Sequence, residues 1–239
     1  MSHISNLEIQ FGCYFAVFNN KKATTFVLEE FRKNFPKNPI LLISDGGEDF
    51  SDLAHKYSCE YVYLENIFGD GSSERPHLPY DAERTKKWWE RQKMVCDRFG
   101  LPYNLILEDD VWVRSSFKIQ NDFDLRGSRV GNWFQPAIRG EILDKTGKDV
   151  PKYNMSGGSM YSTSAFLNIY DDVIEDIERN HDDLLTKGYN PQLGAVDANI
   201  TYHFVKRGYK VEVNPYLTDV CEHKDHSKYS IIHQWKNNY

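Results

Sequence analysis

The chain has 239 residues, 29 Lys and Arg against 35 Asp and Glu, a formal net charge of −6 and a pI near 5.8. With 40% hydrophobic and 14% aromatic residues it is not disordered throughout, and its length suffices for one domain with its own core. An acidic chain does not coat a polyanion such as nucleic acid by bulk attraction, so a phosphate-bearing ligand has to be gripped locally, by placed cations or a metal.

The first third alternates strand and helix patterns. Cys13 to Phe18 is an apolar run of strand length, after which Ala23, Phe26, Val27, Phe31 and Phe35 recur at helical spacing until Pro36 and Pro39. Ile40 to Ile43 reads as a second strand, and Ser44-Asp45-Gly46-Gly47 as a turn that lets a ligand approach the backbone. Leu53, Ala54 and Tyr57 suggest a short helix, and Tyr61 to Leu64 a third strand. Strands separated by helices imply parallel pairing, so the expected class is α/β with a mostly parallel central sheet flanked by helices.

Asn66 to Tyr80 has the composition of a long surface loop. Asp81 to Phe99 then reads as a helix with Thr85, Trp88, Gln92, Val95 and Phe99 on one stripe, closed by Gly100. Arg84, Lys87 and Arg91 share a neighbouring stripe at spacings of three and four. They form either a cationic face or a solvated one paired to Glu83 and Glu90. Tyr103 to Val113 reads as a buried strand interrupted by Glu108-Asp109-Asp110.

Phe117 to Tyr153 has weak periodicity and is punctuated by Gly127, Gly131, Pro136, Gly140 and Gly147, which predicts short strands and loops. Asn154 to Thr163 precedes an amphipathic helix marked by Phe166, Ile169, Val173 and Ile177. Pro191 to Gly208 predicts a helix with Leu193, Val196, Ile200 and Phe204 inward, and Lys210 to Val213 a strand. The tail to Tyr239 reads as polar, with His223, His226 and His233.

Cys13, Cys59, Cys96 and Cys221 form no CxxC pair and no short metal spacing, which favours a reduced compartment. Met1 to Gln10 lacks a basic and apolar leader, and nowhere do about 18 apolar residues run together. A cytoplasmic chain without a membrane span is the expectation.

The acids after Leu105-Ile106-Leu107 carry the chemistry. In a parallel sheet ligands sit beyond the carboxyl ends of strands, so these carboxylates point into the expected cleft. Adjacent carboxylates resist joint ionisation unless a cation neutralises them, and hard oxygens suit Mg²⁺ or Mn²⁺. A solvated strand end is the alternative.

This order, with a strand ending in Ser44-Asp45, a basic helix and then LILEDDV, resembles the nucleotide-sugar-dependent glycosyltransferases of the GT-A (nucleotide-diphospho-sugar transferase) fold. In size the chain is similar to the small GT-A enzymes of large algal DNA viruses. The resemblance implies a single GT-A domain over residues 1–239, with 1–113 as the nucleotide-sugar-binding half and 114–239 as the acceptor-binding half and tail. It implies a UDP-sugar donor, Mn²⁺ or Mg²⁺, and a glycan or glycoprotein acceptor. Asp110 then resembles the direct metal ligand, and Glu108 and Asp109 the ribose or metal-water contacts.

Around that centre Phe18 and Asn19 would flank the base, Asp45 would accept hydrogen bonds from uracil or ribose, and Arg84, Lys87 or Arg91 would meet the diphosphate. Each has a plainer alternative in turn chemistry or surface pairing. Gly157-Gly158 resembles the segment that lets backbone approach the donor sugar, against a plain turn. Asp197 resembles the general base of an inverting transfer, against a helix-terminal acid favoured by the dipole. His233 would complete the metal shell and Lys236 reach a phosphate, with Ile231-Ile232 docking a tail that orders as nucleotide binds.

Two other functions stay open on the sequence. A nucleotidyltransferase shares the strand-then-acid design, although the loop after the first strand lacks glycine. A carbohydrate-binding module would use the 34 aromatics as stacking platforms, but it needs no diphosphate site.

Overall fold

The computed structural model describes residues 10–67, 81–129, 153–154, 157–186, 196–220 and 225–235. In chain order the first elements are β1 (Phe11–Val17), α1 (Lys21–Asn34), β2 (Ile40–Asp45), α2 (Ser51–Lys56) and β3 (Glu60–Leu64). Next come α3 (Ala82–Phe99), β4 (Tyr103–Leu107), β5 (Trp112–Val113), β6 (Leu125–Arg129), β7 (Tyr153–Asn154) and β8 (Met160–Ser162). The last are α4 (Thr163–Thr186), α5 (Val196–Lys206), β9 (Val211–Val213), β10 (Leu217–Asp219) and β11 (Ile231–His233).

The central sheet runs β3-β2-β1-β4-β8-β6-β7, with β9 paired to β6. Its first four strands are parallel, in a register that sets Cys13 against both Ile40 and Leu105. β8 then runs antiparallel to β4 and to β6. The α/β class and the helix-flanked sheet therefore stand as expected from the alternation of patterns.

Local sequence explains the element ends. Asn20 caps α1 by accepting the Ala23 N–H at 3.1 Å, and Asp81 caps α3 by accepting the Arg84 N–H at 2.8 Å. Gly100 closes α3 in the left-handed region, φ 59°, donating to the Cys96 carbonyl at 2.9 Å.

β1, β2 and β4 are buried along their length, which is why they read as continuous apolar runs rather than alternating ones. Their side chains nevertheless divide between two cores. Phe15, Leu42 and Leu105 face α1 and α2 with Val27, Phe31 and Leu53, whereas Tyr14, Leu41 and Ile106 face α3, α4 and α5. On that second side Trp89 stacks on Phe166 with centroids 4.9 Å apart, while its indole N–H donates to Asn199 at 2.8 Å. A buried aromatic of this size contributes about 1.5–3 kcal/mol, and the hydrogen bond removes the cost of burying the indole nitrogen.

Two readings of the sequence need correction. Tyr103 to Val113 is not one strand: β4 stops at Leu107, a turn follows, and β5 joins a separate three-stranded sheet ordered β10-β11-β5. Nor is the tail polar throughout. Ile231 and Ile232 are fully buried in β11, the middle strand of that small sheet. Strands of only two or three residues leave too little periodicity to be read.

Of the cysteines, Cys13, Cys59 and Cys96 are free among the described residues. Burial pushes the Cys13 thiol well up and Cys96 up to about 12, so neither is a ready thiolate. No helix among the described residues is long and apolar enough to cross a membrane.

Candidate metal centre at the carboxyl end of β4

β1 pairs with β2 on one side and β4 on the other, and α1 and α3 pack on opposite faces of the sheet. The crevice between the ends of β1 and β4 is thus the switch point at which open α/β sheets bind ligands. β4 delivers Glu108 there. The Val111 N–H donates to the Glu108 carbonyl at 3.1 Å, closing a turn that turns the chain away into β5 and projects two carboxylates beside the crevice.

The small sheet brings the third group. β11 runs antiparallel to β5, with Ile232 opposite Trp112, and the Trp235 N–H donates to the Asp110 carbonyl at 2.8 Å. This zipper carries His233 across from the turn. Its Nε2 lies 3.3 Å from Glu108 Oε2 and 3.6 Å from Asp110 Oδ1. One ligand atom from each of Glu108, Asp110 and His233 falls within 4.8 Å of the others. Two carboxylates and an imidazole at that spacing suit Mn²⁺ or Mg²⁺.

A glycine leaves the room. A Cβ on Gly157 would meet Val111 Cγ2 at 2.6 Å, Glu108 Oε2 at 2.8 Å and His233 Cδ2 at 2.9 Å. Gly158, at φ +85°, meets Ile231 and Leu217 at 2.7 Å in the same way. The glycine pair therefore packs Gly157 against His233 and Gly158 against the Leu217–Ile231 rung of the small sheet. Its backbone is tied to β4 by the Gly158 N–H on the Ile106 carbonyl at 2.8 Å and the Ile106 N–H on the Ser159 carbonyl at 2.9 Å.

Two further acids surround the centre. Asp219 of β10 accepts from His233 Nδ1 at 2.5 Å. Asp197, in the first turn of α5, is half-buried, and its carboxyl is pushed up to about 8, first by desolvation and then by the charges of Glu108, Asp110 and Asp219. His233 moves the same way. Burial works against its protonation, but hydrogen bonds to Asp219 and Glu108 outweigh that and hold it well above its ordinary value.

The structure thus brings together Glu108, Asp110, Gly157, Gly158, Asp197 and His233. Glu108 joins the candidate ligands, a closer role than the ribose or metal-water contact the resemblance implied, while Asp109, half-buried in the turn, is not one of the three. Phe18 and Asn19 stand at the carboxyl end of β1, where the Phe18 carbonyl accepts the Glu48 N–H at 2.7 Å.

Arg84, Lys87 and Arg91 do not present one open cationic face. Arg91 is buried with its Nη1 2.7 Å from Asp45 Oδ1, and its Nη2 donates to the Glu65 carbonyl. Asp45 also accepts the Ile67 N–H at 2.9 Å. Lys87 pairs with Glu65 at 2.8 Å and Glu83 at 3.6 Å, and Arg84 with Asp81 at 3.9 Å. The helical spacing was right, but α3 packs its Arg91 side toward β2, where an acid awaits.

Lys236 and His223 lie outside the described residues, and His226 contacts the Val220 carbonyl at 3.3 Å rather than the acids. Asp219 had no signal in the sequence beyond its parity with Leu217, because its partner stands fourteen residues on. Neither a comparison with protein-family models nor one with curated proteins found a match.

Proposed function

We propose that the chain is a metal-dependent glycosyltransferase of GT-A architecture, which moves a hexose from a UDP-sugar to a hydroxyl of a glycan or glycoprotein acceptor with inversion. The observation that carries the reading is the convergence of Glu108, Asp110 and His233 at the carboxyl end of β4, with Asp197 beside them. Both the donor set and the cradle at Gly157 fit a divalent ion.

Glu108, Asp110 and His233 would hold Mn²⁺ or Mg²⁺. Such an ion supplies Lewis-acid neutralisation of the charge that grows on a leaving diphosphate. The cations of α3 are mostly occupied by acids of this chain, which leaves the diphosphate dependent on that centre. Gly157 and Gly158 let Glu108, His233 and the small sheet close up beside the centre. Asp197 takes the proton of the acceptor hydroxyl as its oxygen bonds to the anomeric carbon and the bond from that carbon to the diphosphate oxygen breaks. Burial, the largest cause of its shift, holds the Asp197 carboxyl above the ordinary carboxylate range, the direction that makes it a stronger base.

Isothermal titration with UDP, in Mn²⁺ and in EDTA, tests the reading. UDP is expected to bind only with the ion, and Asp110→Ala to lose that binding while keeping its melting temperature. UDP binding that ignores Mn²⁺, or none at all in a folded protein, would exclude it.

A further inference from the structure

We propose that Asp219 is the positioning residue of the metal centre: it holds His233 by Nδ1 so that Nε2 is the nitrogen offered to the cation. The inference rests on the reading of Glu108, Asp110 and His233 as ligands, and adds to it a residue that makes no contact with the ion.

Three observations carry it. The first is the division of the ring. Nδ1 is 2.5 Å from Asp219 Oδ1, whereas Nε2 faces Glu108 and Asp110 at 3.3 and 3.6 Å. One nitrogen makes a full hydrogen bond to a carboxylate. The other looks between two oxygens at separations an ion could bridge.

The second is strand register. β10 and β11 are parallel, with Leu217 opposite Ile231 and Asp219 opposite His233. Side chains two apart share a face, so the same pairing that buries Leu217 and Ile231 against Gly158 sets the carboxylate beside the ring. The Val220 N–H donates to the His233 carbonyl at 3.1 Å, which holds the two backbones in step beyond the last rung. Asp219 reaches His233 by construction of the sheet.

The third is chemical role. Asp219 lies outside the group of converging ligand atoms among the described residues, yet its side chain is largely buried. A carboxylate behind a ligating imidazole fixes the ring orientation and tautomer and raises the basicity of the ligating nitrogen. Losing such a partner typically weakens metal binding about 10–100-fold.

The experiment uses the full chain and Mn²⁺ alone. Affinity is measured by titration calorimetry, and the ligating nitrogen is detected by its ¹⁴N modulation of the electron spin echo of bound Mn²⁺. Asp219→Ala is expected to bind Mn²⁺ about 10–100-fold more weakly, and to lose or alter the nitrogen modulation at saturating ion. Asp219→Asn keeps a carbonyl acceptor for Nδ1–H but not the charge; it should fall about 10-fold, the low end of that range, with the modulation retained. If the alanine variant fails to fold, the asparagine variant carries the test.

Wild-type affinity in either folded variant would overturn the role of Asp219 while leaving the metal centre standing. Mn²⁺ binding equal in the wild type and in Asp110→Ala, or absent from both, would instead remove the metal reading, and the inference with it.

Discussion

Gly157 sits against Glu108 so closely that a Cβ would lie 2.8 Å from the carboxylate oxygen nearest His233. Contacts that short force one partner to move. The expected consequence of Gly157→Ala is displacement of Glu108 or His233, with Mn²⁺ affinity reduced at least 10-fold and the thermal unfolding curve shifted only slightly. Calorimetric titration with Mn²⁺ checks this. Unchanged affinity would mean that the cradle has slack the distances do not show.

The buried pair of Arg91 and Asp45 ties α3 to the end of β2 and to the segment after β3. Both side chains are almost fully buried, so Arg91→Met leaves an uncompensated carboxylate in the interior. Breaking a buried pair on one side costs about 3–5 kcal/mol. Urea unfolding should show a loss of that size. A change below about 1 kcal/mol, the range of exposed pairs, would show that water reaches the pair.

Metal-free protein should become less stable as pH rises across the neutral range. Asp197 is raised from its ordinary value to about 8 in the fold, so between about 4 and 8 the folded state binds more protons than the unfolded one. Stability from this group is full at acid pH and gone above about 8. His233 is also raised, and its contribution is full below about 6.5 and lost as pH climbs through the folded value. The two therefore act in the same direction. Melting temperatures in EDTA at pH 5 and pH 8.5, compared between wild type and Asp197→Asn, isolate the first. The wild type should lose more than the variant; an equal loss would contradict the raised pKa.

The proton on His233 Nε2 must leave when a cation enters, because a ligating imidazole has to be neutral. Mn²⁺ affinity is accordingly expected to rise with pH between 6 and 8, with proton release detectable as a buffer-dependent binding heat. A flat profile would contradict the protonated centre.

Asp197→Asn should depress glycosyl transfer about 10²–10⁴-fold, the typical value of a general base, while Mn²⁺-dependent UDP binding persists. The split matters because a merely structural acid in the first turn of α5 would lower the amount of folded protein, not the rate per folded molecule. Transfer per folded molecule at the wild-type rate would reduce Asp197 to a helix-terminal acid.

The sequence was most informative where elements are long and locally determined. β1, β2 and β4 are apolar on both faces, and α3 carries its own cap at Asp81 and stop at Gly100, so each is readable without its neighbours. Glu108 and Asp110 were visible because acids seldom follow a buried strand without a reason. His233 was legible only through its apolar neighbours and the resemblance. The small sheet was not legible, since β5, β10 and β11 have two or three residues each and pair residues as far apart as Val113 and Ile231. Asp219 was hidden by that pairing, and the fate of Arg91 by the tertiary choice of which side of α3 meets β2.

On the proposed function, a divalent ion sits between Glu108, Asp110 and His233 and carries the diphosphate of UDP. Anomalous diffraction from crystals grown with Mn²⁺ and UDP tests it most directly. One strong anomalous peak is expected within bonding distance of both carboxylates and of His233 Nε2, with UDP phosphate oxygens completing the shell and Asp219 remaining on Nδ1. A peak coordinated elsewhere, or UDP bound in the crevice with no anomalous scatterer at these three residues, would contradict it.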